Sequence, residues 1–400
     1  MAEVSGKVFE QVIADRIEDV EQSVRTQMMR VADTLDEVIK MGRGDPDLDT
    51  PSHIVEAAQE ALAAGKTHYS SPEGIPELRE AIAAKLRDEN GLDYHMKNVM
   101  VTTGGQQAIV LTLLGILNPG EEILVSSPRF NSYDVAAELA GGRVVSVPTY
   151  ERDDFALKPE EVEKRISPRT RILVVITPNN PTGGIIPLET LKGLADLAQK
   201  HNLIVISDEI YEKQVYDGNE HVSFGTLPGM LERTVTINGF SKGYAMTGFR
   251  IGYMASPNLF IEKLVEAKHS LDICTTSVSQ AAALAALEGS QDCLKEFREI
   301  YDERRKFMMG VLDDCGITYG YPGGAFYIYA NVSSTGVYAP DFCLSLLQEE
   351  GVMIFPGALF ADHSNDHIRI SLLAPMDQME EAAERMKRHV ERLRAENDVG

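Results

Sequence analysis

An α/β fold, with a mostly parallel sheet covered by helices on both faces and a smaller α+β region after it, is what this sequence predicts. Three observations predict it. Up to about residue 285, short β-rich runs alternate with amphipathic helical patterns. Beyond that point the pattern changes to a long charged helix, short strands and a second long helix. Four hundred residues also exceed what one hydrophobic core usually organises, so two packed regions sharing a cleft are expected.

The elements follow in order. From about Glu21 to Lys40, Val24, Met28, Val31, Leu35 and Val38 keep helical spacing, and the turn-rich GRGDPDLDTP comes next. Strands are expected at Val99 to Thr103, Ile123 to Ser126, Val144 to Val147, Ile172 to Ile176, Ile204 to Ser207 and Val235 to Ile237. Ligands collect beyond the carboxyl ends of strands in such sheets, and several of those ends run into unusual loops: TGGQQA, SPRFNSY, TPNNPTG, SDEIY and NGFSK. The late region holds the helix EFREIYDERRKFMMGVLDDC, strands around AFYIYANV and HIRISLL, and the helix MDQMEEAAERMKRHVERLRAEN. The expected division is 1–45 as a helix and arm of the small domain, 46–285 as the large domain, and 286–400 as the small α+β domain.

A formal net charge of −23 repels phosphate backbones and anionic lipid surfaces, which argues against nucleic-acid and membrane partners. Cys274, Cys293, Cys315 and Cys343 lie far apart, so neither a disulfide scaffold nor a zinc site is expected. The acidic N-terminus lacks the apolar stretch of a signal peptide, and a cytoplasmic location is the expectation. The sequon at Asn331 then carries no glycan.

Three loops carry candidate chemistry. In VTTGGQQAIV a strand ends in two glycines and a helix begins at once, offering free N–H groups and a positive dipole end to a phosphate. A tight turn without a ligand is the alternative. Asp208 follows the strand NLIVIS, where a buried carboxylate needs a cationic partner such as a protonated ring nitrogen; a helix N-cap before EIYEKQ is the alternative. Lys242 sits in NGFSKGYAMTGFRIG, where partial desolvation near other cations would lower its pKa and suit it to forming a Schiff base. Arg250, eight residues on, offers a planar fork for phosphate.

Taken in order, GRGDPDLDTP, HYSSPEGIPELREAI, TTGGQQA, SPRFNSY, TPNNPTG, SDEIY, FSKGYAMTGFRIG, PGGAFY and HIRISL resemble the class I and II aminotransferases of pyridoxal-phosphate fold type I, in their aspartate and aromatic branch. The resemblance runs from about Met28 to the C-terminus. It implies a seven-stranded, mostly parallel sheet in the large domain and pyridoxal 5′-phosphate as cofactor. It implies Lys242 as the Schiff-base lysine, Asp208 as partner of the pyridine nitrogen, and Asn180 and Tyr211 on the ring oxygen. Phe130 takes the stacking position, where the family more often has tryptophan or tyrosine. Gly105, Gln106, Ser241 and Arg250 match the phosphate cup, joined by Tyr69 from the other subunit of a homodimer. Arg369 matches the grip on the substrate's α-carboxylate, with Asn180 and Gly44 beside it. The implied reaction is ping-pong transfer of an α-amino group from an L-amino acid, aspartate, aromatic or another common one, to a 2-oxo acid.

Arg43 and Arg129 adjoin site positions and could contact a dicarboxylate side chain, but the expectation for both is a solvated surface arginine. In HSNDH, His363 and His367 with Asp362 and Asp366 mimic metal ligands. The composition is that of a polar loop, and no metal is expected. The rival on the same fold is a lyase, either a C–S β-lyase or one that closes an aminocyclopropane ring. A non-catalytic sensor half of a transcription regulator would need a DNA-binding domain, and the roughly forty residues before GRGDP, acidic on balance, do not suit one.

Overall fold

The computed structural model describes Val12 and residues 24–362 and 364–398. After a helix Val24–Ala32, strand β1 (Ile39–Lys40) leads to two helices, Ser52–Ala63 and Pro76–Asp88. The large sheet then collects β2 (Val99–Thr102), β3 (Glu122–Ser127), β4 (Arg143–Pro148), β5 (Thr170–Ile176), β6 (Ile204–Asp208), β7 (Thr234–Gly239) and β8 (Gly252–Ala255). Their order is β2-β8-β7-β6-β5-β3-β4, seven strands as the resemblance implies. All neighbours run parallel except β8, which is antiparallel to both β2 and β7.

The central strands are apolar on both faces because helices cover both. Val174 and Ile176 of β5 join Ile206 and Ile237 in one core, whereas Leu173, Val175 and Val205 face Leu191, Leu194 and Ala198 of helix Leu188–Lys200 in another. Those helical positions keep i, i+3, i+7 spacing, so one stripe meets the sheet and the rest meets water. Each of the two leucines, fully buried, contributes about 1.5–3 kcal/mol. A third core lies between β2, β8 and helices Ser52–Ala63, Pro76–Asp88 and Ser277–Glu288.

Beyond helix Asp292–Asp314 come β9 (Thr318–Tyr319), β10 (Tyr327–Asn331), helix Ala339–Glu350, β11 (Val352–Met353), β12 (Phe355–Pro356), β13 (His367–Ser371) and helix Met376–Asp398. Strands β12-β13-β10-β9 form an antiparallel sheet in which Tyr329 pairs with Arg369. β1 pairs in parallel with β11, Ile39 against Val352, so the arm before the GRGDP loop packs with the late region.

Two sequence expectations need correction here. The helix expected to reach Lys40 ends at Ala32, because Ile39 and Lys40 gain more from pairing with β11 than from continuing a helix through Asp33, Thr34 and Asp36. Residues 21–23 of that expected helix lie outside the described residues. The second correction concerns β8: local pattern predicts no strand there, since four residues, GYMA, are too few for a periodicity.

Candidate active site

The carboxyl ends of β2, β3, β5, β6 and β7 open on a cavity of about 680 Å³ that is closed on the far side by β10, β12, β13 and the GRGDP loop. Its walls include Gly44, Gly105, Gln106, Phe130, Asn180, Asp208, Tyr211, Ser241, Lys242, Arg250 and Arg369. Of the expected site residues only Tyr69 stands apart, 78% exposed on the surface.

At the floor, Asp208 ends β6 and is buried. Its Oδ2 accepts a hydrogen bond from the Tyr133 hydroxyl at 2.9 Å, yet no cation lies within ion-pair distance among the described residues. Burial raises its pKa to about 6, against the lowering effect of the Tyr133 hydroxyl and the Ile210 N–H. The residues after it form a turn and not a helix, which removes the N-cap alternative. A protonated ring nitrogen therefore fits a carboxylate that the chain leaves without a counter-charge.

Lys242 lies in the loop between β7 and β8, and its Nζ donates to the Gly44 carbonyl at 2.6 Å. Burial brings its pKa down to about 8; Asp45 opposes this, while the positive fields of Arg250 and Arg369 add to it. An amine so placed spends a useful fraction of time unprotonated near neutral pH.

Helix Gly104–Ile116 starts at the cavity wall, with Gly105 and Gln106 in its first turn. A Cβ on Gly104 would sit 2.8 Å from a terminal nitrogen of Arg250, so glycine is what lets that guanidinium reach the helix start. Arg250 adopts a left-handed conformation, φ 52°, and donates to the Thr247 carbonyl at 3.0 Å, with no carboxylate partner among the described residues. A helix N-terminus, the Ser241 hydroxyl and a guanidinium without a carboxylate partner form a cradle that could hold a dianionic phosphate.

Opposite this cradle is Arg369, buried in β13. One Nη donates to Asn180 Oδ1 at 2.9 Å and the other to the Gly42 carbonyl, while its buried Nε has no partner. The guanidinium lies 4.3 Å from the ring centroid of Phe360 and 4.6 Å from that of Tyr327. Burial lowers its pKa, an effect that the nearby Tyr327 and Tyr211 hydroxyls oppose and Arg25 reinforces. A buried cation flanked by rings and lacking a carboxylate is ready for an anionic ligand. Tyr211, buried, shares a 3.1 Å hydrogen bond with Tyr327, and burial drives its pKa well up. Gly44 is held close here too, since a Cβ would fall 2.3 Å from the Tyr327 hydroxyl.

The family model described as aminotransferase class I and II matches residues 36–386. The chain is a class I and II aminotransferase. It is 41% identical over 379 residues to aromatic-amino-acid aminotransferase 2 of Thermococcus litoralis, covering 94% of this chain and 97% of that one. The same identity, length and coverage hold for an aspartate aminotransferase of Pyrococcus abyssi. Among solved structures, that of the Thermus thermophilus aspartate aminotransferase with maleate is 38% identical with a TM-score of 0.88, covering 94% of this chain and 99% of that one. The aminotransferase is a pyridoxal-phosphate-dependent enzyme of fold type I, and the cradle, the unpaired Asp208 and the Lys242 amine suit that cofactor.

Arg129 corrects the sequence expectation. It is only 4% exposed, bonded through Nε to Asp134 at 2.9 Å, through Nη1 to Ser146 at 3.0 Å and through Nη2 to Asp362 at 3.2 Å. Three partners at the β3 and β4 ends make its burial tolerable there, which a reading of one residue's type could not detect. Arg43 is exposed as expected, although it borders the cavity mouth. His367 is not in a loop: it opens β13, its ring stacks on Tyr329 at 4.8 Å, and its nitrogens face Asp366 and Glu151. His363 lies outside the described residues. Sequence reasoning missed Tyr133, Tyr327, Phe360 and Arg25. The first two close the motifs SPRFNSY and AFY and were within reach; the other two sit in segments without a distinctive pattern.

Among the described residues no helix is long and apolar enough to cross a membrane. All four cysteines are free thiols.

Proposed function

We propose that the chain transfers the α-amino group of an L-amino acid to a 2-oxo acid in two half-reactions, with aspartate and aromatic amino acids as donors. Arg369 carries this reading: its unpaired Nε and missing counter-ion at the cavity wall suit an α-carboxylate held in a fork. The donor range is supported by relatives named for aspartate and for aromatic amino acids, and by walls of two kinds. Arg25 and Arg43 offer charge to an acidic side chain, while Met29, Leu359 and Phe360 offer apolar contact.

When bound, pyridoxal phosphate supplies an electron sink for the pair left behind when the Cα proton departs. The chain's residues do the rest. Gly105, Gln106, Ser241 and Arg250 would hold the phosphate, Phe130 would lie on the ring face, and Asn180 and Tyr211 would bond the ring oxygen. Asp208 would keep a proton on the ring nitrogen, since a bare buried carboxylate is the costlier alternative. Lys242 would hold the cofactor's aldehyde carbon and, once released, carry the Cα proton on its Nζ. Gly44 and Asn180 would flank the substrate carboxylate on Arg369.

The assembly we infer is a homodimer in which Tyr69 of one copy completes the phosphate cup of the other; its exposure away from its own cavity supports this. We also infer that residues 46–285 work as the large domain and residues 24–45 with 286–398 as the small one; the rest of the expected 1–45 arm, apart from Val12, lies outside the described residues. The pairing of β1 with β11 supports the second grouping. Free thiols support a cytoplasmic location.

The test is a titration of the cofactor's visible absorbance in the purified enzyme. Aspartate or tyrosine should bleach the band, and 2-oxoglutarate should restore it. A band that persists while pyruvate and ammonia appear without any oxo acid would instead mark a lyase.

A further inference from the structure

The polar cluster around Arg129 joins the two sides of the cavity, and amino-group transfer as proposed above makes no use of it. Arg129, Asp134 and Ser146 belong to the β3–β4 part of the large sheet, whereas Phe360 and Asp362 belong to the segment between β12 and β13. The guanidinium bonds Asp134 with Nε at 2.9 Å and again with Nη2, Ser146 with Nη1 at 3.0 Å, and Asp362 with Nη2 at 3.2 Å. Ser146 also donates to the second oxygen of Asp362. The Arg129 main-chain N–H donates to the Phe360 carbonyl at 2.7 Å. Two residues of one short segment are thus fixed by a single residue of the opposite wall, through its backbone and through its side chain.

That segment matters because of what Phe360 covers. Its ring lies over the Arg369 guanidinium, and the ring is itself only 8% exposed. Removing water from one face of a guanidinium strengthens its hold on a carboxylate, since the surroundings screen less. The position of Phe360 therefore sets how dry the carboxylate fork is, and Arg129 sets the position of Phe360. Arginine is well suited to this clamp, because its planar, forked head can satisfy three partners at once, and at 4% exposure it needs all of them.

We propose that Arg129 is a positioning residue for substrate binding, acting through Asp362 and the Phe360 carbonyl to hold Phe360 over Arg369. Its side chain does not line the cavity, where its neighbour Phe130 stands instead. The inference rests on Arg369 receiving the α-carboxylate, and the experiment separates the two.

The holoenzyme and its Asp362→Asn, Arg129→Met, Arg129→Lys and Arg369→Ala variants are compared in two measurements: KM and kcat for the amino-acid donor, and backbone hydrogen exchange of the peptide spanning residues 355–366. Asp362 is partly exposed, so Asp362→Asn should fold as the parent does. It is expected to raise KM about fivefold with kcat little changed, and to speed exchange in that peptide but not in the one carrying Lys242. Arg129→Met should shift both readouts further, Arg129→Lys should restore part of each, and adding Asp362→Asn to Arg129→Met should change little more. Unchanged KM in Asp362→Asn and Arg129→Met overturns the proposal, and so does a rise in KM without faster exchange. If Arg369→Ala raises KM and the clamp variants do not, this inference alone fails. If Arg369→Ala leaves KM unchanged, the carboxylate assignment falls and takes this inference with it.

Discussion

Two groups of buried charges in this molecule have opposite characters. Beneath the loop after β6, Glu209 and Glu212 are as buried as anything in the cavity, but every oxygen is occupied. Glu209 accepts from Ser207 at 2.7 Å, Ser223 at 2.6 Å and His221 at 3.0 Å, while Glu212 pairs with Lys85 and accepts from Asn90 at 2.7 Å. Three of these groups could in principle hold a metal ion, and the protein's own donors already fill the positions one would use. In the cavity, by contrast, the buried Asp208 and Arg369 have no ion partner among the described residues. A protein tolerates an unpaired buried charge at a cost of several kcal/mol only where a ligand supplies what the chain withholds. Burial alone therefore does not mark a site; burial without a counter-charge does.

Substitutions in the two groups should have opposite outcomes for stability and activity. The largest effect is expected for Lys242→Ala, a loss of transamination of at least about 10³-fold with the melting temperature preserved, read by steady-state kinetics and circular dichroism. Arg369→Leu should lower kcat/KM on the order of 10²-fold by removing the carboxylate fork, while leaving unfolding stability unchanged or improved. Lys85→Met should do the reverse. Stability should fall by up to about 3–5 kcal/mol because the buried Glu212 loses its nearest counter-ion, with activity per folded molecule intact, as denaturant melts and active-site titration would report.

The two groups should also bend the pH profile of stability in opposite directions. Burial pushes Glu212 upward, but Lys85, Lys213 and His221 outweigh it and hold the carboxylate at about 2, below its usual 4.5. Its stabilisation is complete above pH 4.5 and is lost as pH falls toward 2. Asp208 is raised to about 6 from 3.8, so its ionised form is the one penalised in the fold. In the cofactor-free protein stability should rise as pH falls from 6 to 3.8, by up to about 3 kcal/mol, and Asp208→Asn should erase that rise in melts taken across the range. The smallest effect is expected for Tyr327→Phe, which removes the 3.1 Å bond to Tyr211 and should lower kcat/KM by about fivefold.

Much of this was legible in the chain itself. Strands β5 and β6 announced themselves as β-branched runs, and the loops beyond them carry Asn180 and Asp208 to where the topology requires. What escaped depends on contacts distant in sequence. Ile39 and Lys40 end a helical period that pairing with β11 overrides, β8 is too short to have a period, and Arg129 becomes an interior residue through Asp362, over two hundred positions away. Tyr69 gave a motif match that a single copy of the chain leaves outside the cavity. Local pattern reads elements, and spatial pairing decides which polar residues can go inside.

The reversed strand β8 has a consequence of its own. Every other connection within the large sheet passes through an α-helix or a longer excursion before the chain returns, but β7 comes back as β8 after residues 240–251, which hold only the 3-10 turn Thr247–Phe249. The amine of Lys242 and the fork of Arg250 therefore lie on one short span between two paired strands, Asn238 matched to Tyr253 and Gly239 to Gly252. Chain length, and not side-chain packing between separate elements, is the ruler that sets their separation. Lengthening that span by a single residue would move one charge relative to the other while leaving both strands paired, so the two must be redesigned together or not at all.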